Sequence, residues 1–161
     1  MPDIVCRVVD CHVFFRTPDG PLYLLMKRSP DVIYAGSWRM VGGKIEVGEK
    51  AVETAVRELY EETGLYPKRL WSVPYINSFY EASRDRVNII PVFAVEVTSQ
   101  HVRLSAEHDE HAWVTYEAAI QRLPWPAQVE GMRIVHEYVV AGKMVAEFVE
   151  VNLNELIPPE E

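Results

Sequence analysis

Three glutamates in the stretch GGKIEVGEKAVETAVRELYEETGL, residues 42–65, have the spacing that places side chains on one face of a helix. They are Glu58, Glu61 and Glu62, at positions i, i+3 and i+4 of a helix predicted from Lys50 to Thr63. Like charges placed this way repel one another by roughly a few tenths of a kcal/mol per pair. A hard divalent cation such as Mg²⁺ prefers carboxylate oxygens as ligands. The cluster is therefore either a solvated helix face or a metal site.

Apolar periodicity supports the helix prediction. Val52, Ala55, Val56 and Leu59 recur at helical spacing, and Gly64 is a natural C-terminal stop. If the stripe of Val52, Val56 and Leu59 packs on a sheet, the three carboxylates are expected on the opposite, outward face of the helix.

The residues before and within this helix offer support for such a site. Glu49 and Arg57 can form an ion pair that fixes the preceding loop against the helix. Gly42 and Gly43 allow close approach of the backbone, and Gly48 allows a sharp turn.

Length, composition and charge exclude several protein classes. The 161 residues suit one domain, predicted over residues 1–161, and a hydrophobic content of 48% excludes general disorder. A net charge of −8 disfavours nonspecific binding to nucleic acid, which needs clustered Lys and Arg. No apolar run approaches the roughly 18–20 residues that span a bilayer, so no membrane association is expected.

The N-terminus and the cysteines bear on the cellular compartment. MPDIVCRVVD has no basic leader followed by an apolar stretch, so no signal peptide is predicted. The odd spacing of Cys6 and Cys11 in a predicted strand puts them on opposite faces, which argues against a disulfide. We therefore expect a reducing, cytoplasmic location.

The remaining pattern predicts a mixed sheet with helices packed on it, of the α/β or α+β class. Strands are predicted over residues 4–16, 21–28, 39–43, 70–82, 87–99 and 111–116. Two further helices are predicted over residues 117–123 and 126–142, the second with Pro126 in its first turn and Gly142 at its end. The tail, residues 143–156, is compatible with either strand or helix.

The acidic helix and its preceding loop resemble the Nudix box, G-x5-E-x7-R-E-U-x-E-E-x-G-U, in which U is aliphatic. Every defined position is matched between residues 43 and 65. The order of hairpin, strand, helix and further strands is also similar to that family over most of the chain. The resemblance implies an α/β/α sandwich and hydrolysis, dependent on Mg²⁺ or Mn²⁺, of a nucleoside diphosphate linked to another group.

The resemblance also assigns roles to residues of the box. It implies that Glu58, Glu61 and Glu62 bind the metal ions and serve catalysis, with the carbonyl of Gly42 as a further metal ligand. The structural partners that it implies are Gly43, Glu49, Arg57 and Gly64.

A second acidic segment, AEHDEHAWV, supplies Glu107, Asp109 and Glu110 on a loop predicted before a strand. Many members of the family complete the metal site, or supply a base, with a glutamate on a late loop. The pattern EH followed by W-V is similar to bacterial members that hydrolyse dihydroneopterin triphosphate or dATP. It implies that Glu107 is the metal ligand and base, with its two acidic neighbours as rivals.

Candidate substrate-binding residues lie outside the box. Lys27 and Arg28 end a strand near the box and are either phosphate contacts or ordinary edge charges. Tyr80 lies near the position at which dinucleoside-polyphosphate hydrolases carry a tyrosine. It could stack on a base, as could Trp38 and Phe79, although aromatic residues in a sheet more often belong to the core.

Three functions are compatible with these patterns. The first is cleavage of a (deoxy)nucleoside triphosphate or dihydroneopterin triphosphate to the monophosphate and pyrophosphate. The second is hydrolysis of a dinucleoside polyphosphate or a nucleotide sugar. The third is a non-catalytic module that senses a nucleotide, although such modules tend to lose box glutamates that this chain keeps. The sequence leaves the oligomeric state open.

Overall fold

Eight strands form one mixed sheet in the computed structural model, which describes residues 1–156. The last five positions of the predicted domain, residues 157–161, lie outside the described residues. The strands are Asp3–Val5 (β1), Val8–Thr17 (β2), Gly20–Arg28 (β3), Trp38–Arg39 (β4), Val41–Lys44 (β5), Arg69–Glu81 (β6), Arg86–Glu96 (β7) and His108–Val114 (β8).

Strands β2 and β7 form the centre of the sheet. One edge of β7 pairs with β6, antiparallel, and the other pairs with β1 and then β2, both parallel. The far edge of β2 pairs with β5 through its first half and with β3 through its second half. Strand β3 also pairs with β4 and β8. The order β6–β7–β2–β5 therefore places the glycines at 42 and 43 next to the first half of β2.

The helices form a layer on each face of the sheet. They are Ala51–Thr63 (α1), Tyr116–Arg122 (α2), Pro126–Ile134 (α3) and Met144–Val149 (α4). Helix α1 packs on one face through a core that includes Val9, Leu24 and Leu59. The later helices cover the other face through a core that includes Phe14 and Trp71. The prediction of an α/β/α sandwich with a mixed sheet is confirmed.

The strands predicted over residues 4–16 and 21–28, and those over 70–82 and 87–99, pair as two antiparallel hairpins, and the differences from prediction are local. The first predicted strand is interrupted at Cys6 and Arg7. The residues before the interruption form β1 and those after it form β2, and both strands pair with the same edge of β7. Strand β8 begins at His108, earlier than the predicted 111, because it pairs with β3 down to Arg28. The third predicted helix changes at Val135 to a π-helical turn that ends at Val140.

The ambiguous tail is mainly helical. After α4, Glu150 forms an isolated bridge with Trp71, and a short 3-10 turn covers Leu153–Glu155. Both cysteines are free: Cys6 is exposed between β1 and β2 rather than in a strand, and Cys11 is buried on β2. Within residues 1–156, no helix is long and apolar enough to cross a bilayer.

Candidate metal and catalytic site

Helix α1 has defined ends that fix its position. The side chain of Glu53 accepts a hydrogen bond from the backbone N–H of Lys50 at 2.8 Å, which caps the first turn. At the other end Gly64 has φ of 74°, a left-handed conformation that favours glycine, and its N–H donates to the carbonyl of Tyr60.

The buried face of α1 includes one of the three clustered glutamates. Ala55, Leu59 and Glu62 are buried, whereas Val52 and Val56 are only partly so. The helix is thus rotated relative to the predicted stripe. The prediction that all three carboxylates face outward is therefore wrong for Glu62, because sheet contacts rather than apolar spacing set the rotation.

Glu62 is a buried carboxyl group with an unused oxygen. It is 2% exposed, its Oε2 accepts a hydrogen bond from the N–H of Gly42 at 3.3 Å, and its Oε1 has no protein partner within residues 1–156. Burial raises the pKa of Glu62 to about 8, against the opposing charge of Arg39 and with the help of Glu58. A cation beside Oε1 would restore the charged form.

Glu58 lies against the glycine loop. A Cβ added at Gly43 would overlap its carboxyl group and lie 2.7 Å from its Cγ. Arg57 donates to it at 2.9 Å, yet burial is the larger influence and raises the pKa of Glu58. Gly43 therefore allows this carboxylate to approach the backbone of β5.

Glu61 is the exposed member of the cluster. Its side chain is 56% exposed and accepts a hydrogen bond from Arg57 at 3.1 Å. The three carboxylates thus span a range from buried to solvated.

Arg57 ties α1 to the loop before it. Its guanidinium donates to both carboxylate oxygens of Glu49, at 2.7 and 2.9 Å, and to the carbonyl of Lys44 at 2.8 Å. The hydrogen bonds from Arg57, together with one from Thr54, lower the pKa of Glu49 to about 2. The structure thus contains the ion pair that the sequence suggested between loop and helix.

The late acidic segment reaches the same site. One ligand atom each from Glu62, Glu107 and His108 lie within 4.8 Å of one another, an arrangement that can hold a metal ion. Two hydrogen bonds hold the loop: Ser29 N–H donates to the Glu107 carbonyl at 2.9 Å, and Ser29 Oγ donates to the Ala106 carbonyl at 2.8 Å.

Only Glu107 of the three late acidic residues lies on the loop. Asp109 and Glu110 belong to β8, so the prediction of a loop carrying all three is wrong. Glu110 instead lies opposite Lys27 on β3 and forms an exposed ion pair with it at 3.6 Å. The pairing of β3 with β8 therefore separates Glu107 from its two rivals.

Sequence reasoning missed His108 and Arg39. His108 is 3% exposed, neither ring nitrogen has a partner among the described residues, and burial lowers its pKa to about 4. Arg39 lies beside the site, since a Cβ added at Gly42 would be 2.6 Å from its Nη2. Proximity in the sequence was the signal that could have found them. His108 directly follows Glu107, and Arg39 shortly precedes Gly42.

Among the residues predicted to contact substrate, Arg28 lies close to this cluster. Arg28 lies near Glu62 and Glu107, and its pKa is lowered by burial and by the neighbouring Arg39, while its Nε donates to the Ile33 carbonyl at 2.7 Å.

Tyr80 and Trp38 have partners of their own. The Tyr80 hydroxyl donates to Asp85 at 2.7 Å in the turn of the β6–β7 hairpin. Trp38 packs against the core beneath the guanidinium of Arg122, 5.0 Å from its ring centre. Phe79 is 49% exposed and remains accessible to a ligand.

Comparison with known proteins assigns the chain to a family. The NUDIX domain matches residues 7–136. The chain is 36% identical over 118 residues to an octanoyltransferase of Myxococcus xanthus, a match that covers 68% of this chain and 30% of that protein. The chain thus spans less than a third of the length of that relative.

Other relatives match over most of their length. A CTP pyrophosphohydrolase of Escherichia coli is 34% identical, with 69% of this chain and 78% of that protein covered. An asymmetrical bis(5'-nucleosyl)-tetraphosphatase of Mus musculus is 24% identical, with 80% and 88% covered. A crystal structure described as a NUDIX hydrolase from Listeria monocytogenes superposes with a TM-score of 0.67, at 28% identity, covering 85% of this chain and 93% of that one. The chain therefore belongs to the NUDIX domain family.

Proposed function

We propose that the protein is a divalent-metal-dependent pyrophosphohydrolase acting on a nucleoside diphosphate linked to a further group. Its preferred substrate class is a (deoxy)nucleoside triphosphate or dihydroneopterin triphosphate, cleaved to the monophosphate and pyrophosphate. The observation that carries this proposal is the buried Glu62, which has one oxygen without a protein partner among the described residues, has a ligand atom within 4.8 Å of those of Glu107 and His108, and feels the charge of Glu58.

The donor set fits a divalent cation. Carboxylate oxygens suit Mg²⁺ and Mn²⁺, and an imidazole nitrogen at the edge of the cluster is tolerated better by Mn²⁺. Glu58, Glu62 and Glu107 would hold the ion, with the Gly42 carbonyl and the more exposed Glu61 as further ligands. When bound, the ion neutralises phosphate oxygens and lowers the pKa of water.

The protein's own residues supply positioning and proton transfer. Arg39 and Arg28 lie beside the carboxylates and would contact phosphate oxygens, which need cations on a chain of net charge −8. Glu107 has an exposed side chain and would accept the proton of the attacking water. The new bond joins the water oxygen to an internal phosphorus as the bridging P–O bond breaks, and the pair of electrons leaves with pyrophosphate.

The relatives support this class and one alternative. The E. coli relative named as a CTP pyrophosphohydrolase favours a triphosphate substrate. The mouse relative named as a bis(5'-nucleosyl)-tetraphosphatase favours a dinucleoside polyphosphate as the second candidate. A non-catalytic sensing function is disfavoured because all box glutamates are present.

A substrate panel tests the proposal. Triphosphates, a dinucleoside tetraphosphate and a nucleotide sugar are incubated with Mg²⁺ or with EDTA, and products are separated by ion exchange. We expect turnover only with metal, and pyrophosphate as the product from a triphosphate. Repeating the reaction in ¹⁸O-water distinguishes the bond cleaved: label found only in orthophosphate would contradict attack at an internal phosphorus, and turnover undiminished in EDTA would contradict the metal site.

A further inference from the structure

Two buried polar side chains form a pair on the sheet face opposite α1. Asp10 of β2 and Asn77 of β6 are 4% and 5% exposed, and the Asn77 Nδ2 donates to the Asp10 Oδ2 at 3.2 Å. This bond fixes the orientation of the Asn77 amide, so its Oδ1 points away from Asp10. Within residues 1–156 that oxygen is buried and accepts no hydrogen bond.

The pair lies next to the glycine loop that borders the metal cluster. Asp10 is directly opposite Gly42 in the pairing of β2 with β5. Asn77 is two strands further, across β7, and its side chain reaches back toward Asp10. A Cβ added at Gly42 would lie 3.7 Å from the Asp10 Oδ1, and the Asn77 Nδ2 lies 3.2 Å from the Asp10 Oδ2, so the Asp10 carboxylate links the Asn77 amide to the glycine loop.

A second buried acceptor without a partner belongs to the helix that covers this end of the sheet. Helix α3 and the π-helical turn follow the direction of β2. Gly131, early in this segment, lies against His12, and the carbonyl of Val140, at its end, accepts a hydrogen bond from Arg16 at 3.1 Å. Gln128 is one turn before Gly131 on the same helix face, and so lies toward the start of β2. Its Oε1 is buried and without a partner in the part of the chain that the structure describes.

An aromatic side chain lies next to the pair. Phe79 follows Asn77 by two positions in a regular stretch of β6, so both side chains project from the same face of the sheet. Phe79 is 49% exposed, and its ring is available to a planar ligand.

The arrangement calls for a ligand with hydrogen-bond donors. Buried acceptors without donors are costly, and native proteins usually satisfy them. The Asn77 Oδ1 and the Gln128 Oε1 are both acceptors, so a ligand that satisfies both must present two N–H donors on one edge. Guanine and pterins share such an edge, a ring N–H beside an exocyclic amino group. Adenine and cytosine instead place a ring acceptor beside their amino group.

We propose that Asn77 and Gln128, with Asp10 holding the Asn77 amide in place, form the subsite that selects a substrate carrying the 2-amino-4-oxopyrimidine edge. This inference rests on the proposed function, because it assigns the base-reading residues of the same active site. Phe79 flanks the heterocycle, and the phosphates extend toward Gly42.

Comparison of GTP with ITP tests the subsite, since ITP differs from GTP only by loss of the 2-amino group. We expect kcat/KM for GTP to exceed that for ITP and for ATP by at least about tenfold, as expected when a buried acceptor loses its donor. Dihydroneopterin triphosphate presents the same edge and is expected to be hydrolysed. Whichever of it and GTP has the higher kcat/KM identifies the source of the edge.

Three variants connect this preference to the residues. Asn77→Leu and Gln128→Leu keep side-chain size but remove the acceptors, and each should reduce the GTP/ITP ratio at least about fivefold. Gln121→Leu, at an exposed glutamine of α2, is the matched control and should leave the ratio unchanged. Titration of α,β-methylene GTP against the inosine analogue, by calorimetry with Mg²⁺, should give the same order of affinities without turnover.

The outcomes separate this inference from the proposed function. Absence of metal-dependent hydrolysis for every triphosphate and dinucleotide tested would contradict the proposed function itself. Hydrolysis with a GTP/ITP ratio near one would leave the function standing and overturn the subsite. A high ratio that survives both leucine variants, in proteins that remain folded by circular dichroism, would also overturn it.

Discussion

Replacing Glu62 by glutamine should stabilise the metal-free protein while abolishing its activity. The carboxyl group is buried, and its pKa is raised to about 8 by that burial. The unfolded chain exposes the same group to water, where its pKa is near 4.5. Between these two values the unfolded state loses the proton and the folded state keeps it. The free energy of unfolding of the wild-type protein therefore falls as pH rises from 4.5 toward 8.

The structure sets an upper limit on this effect. The interval from 4.5 to about 8, at about 1.4 kcal/mol for each tenfold change, corresponds to at most about 5 kcal/mol. Partial hydration and movement of Arg39 reduce it, so we expect Glu62→Gln to raise the unfolding free energy by about 2–3 kcal/mol at pH 8. The glutamine side chain keeps the shape of the glutamic acid and can still accept the hydrogen bond from Gly42.

Urea unfolding in EDTA at pH 5 and pH 8 measures the effect. The variant and the wild-type protein should be of similar stability at pH 5 and differ at pH 8. Glu61→Gln is the matched control, because that side chain is 56% exposed and its change should have little pH-dependent effect. Mg²⁺ at 100 times the dissociation constant of the wild-type protein should narrow this difference, since the ion stabilises that protein by about 2.7 kcal/mol and the more weakly binding variant by less.

Equal stabilities at pH 8 in EDTA would refute this reasoning. That result would mean that the Glu62 carboxylate is ionised in the folded protein without metal. Its burial would then be offset by Arg39, and the unused oxygen would not indicate a cation site.

Three further predictions follow from the same geometry. Glu107→Gln should lower kcat by at least about tenfold at saturating Mg²⁺, and Asp109→Asn by much less, because only Glu107 lies in the cluster. Equal effects of the two substitutions on steady-state kcat would contradict the assignment of Glu107 as metal ligand and base. The apparent affinity for Mg²⁺, measured by calorimetry in several buffers, should rise about tenfold per pH unit between 5 and 7 and less steeply toward pH 8, since binding displaces the Glu62 proton. An affinity that does not change with pH would contradict this. Arg57→Met should lower the unfolding free energy by about 1–3 kcal/mol, as it removes three hydrogen bonds that join the loop to α1; unchanged urea unfolding would show that the ion pair is energetically neutral.

Local sequence signals were sufficient for the elements that carry the box. The glycine after α1 and the apolar spacing within it predict the helix because both act within one or two turns. The Glu49–Arg57 contact was predictable for the same reason, since a short loop and two helical turns separate the partners. The β-rich runs over residues 4–16, 21–28, 70–82 and 87–99 likewise predicted the strands that form the two hairpins.

Long-range packing decided what the sequence left open. The rotation of α1, which buries Glu62, depends on the sheet beneath it and not on the helix itself. The approach of Glu107 to Glu62 depends on the register of β3 against β8, in which Arg28 lies opposite His108. Such contacts join residues far apart in the chain, and the spacing of residues along the chain does not encode them.

Binding of Mn²⁺, followed by electron paramagnetic resonance, tests the central claim most directly. The signal of free Mn²⁺ decreases as the ion binds, so one titration each of the wild-type protein, Glu58→Gln, Glu62→Gln and Glu107→Gln gives their affinities, with Asp109→Asn as control. We predict that the wild-type protein and the control bind alike at pH 8, and that each of the other three variants binds at least about tenfold more weakly. Unchanged affinity in both Glu62→Gln and Glu107→Gln would show that the buried cluster does not hold the metal, and would contradict the proposed site.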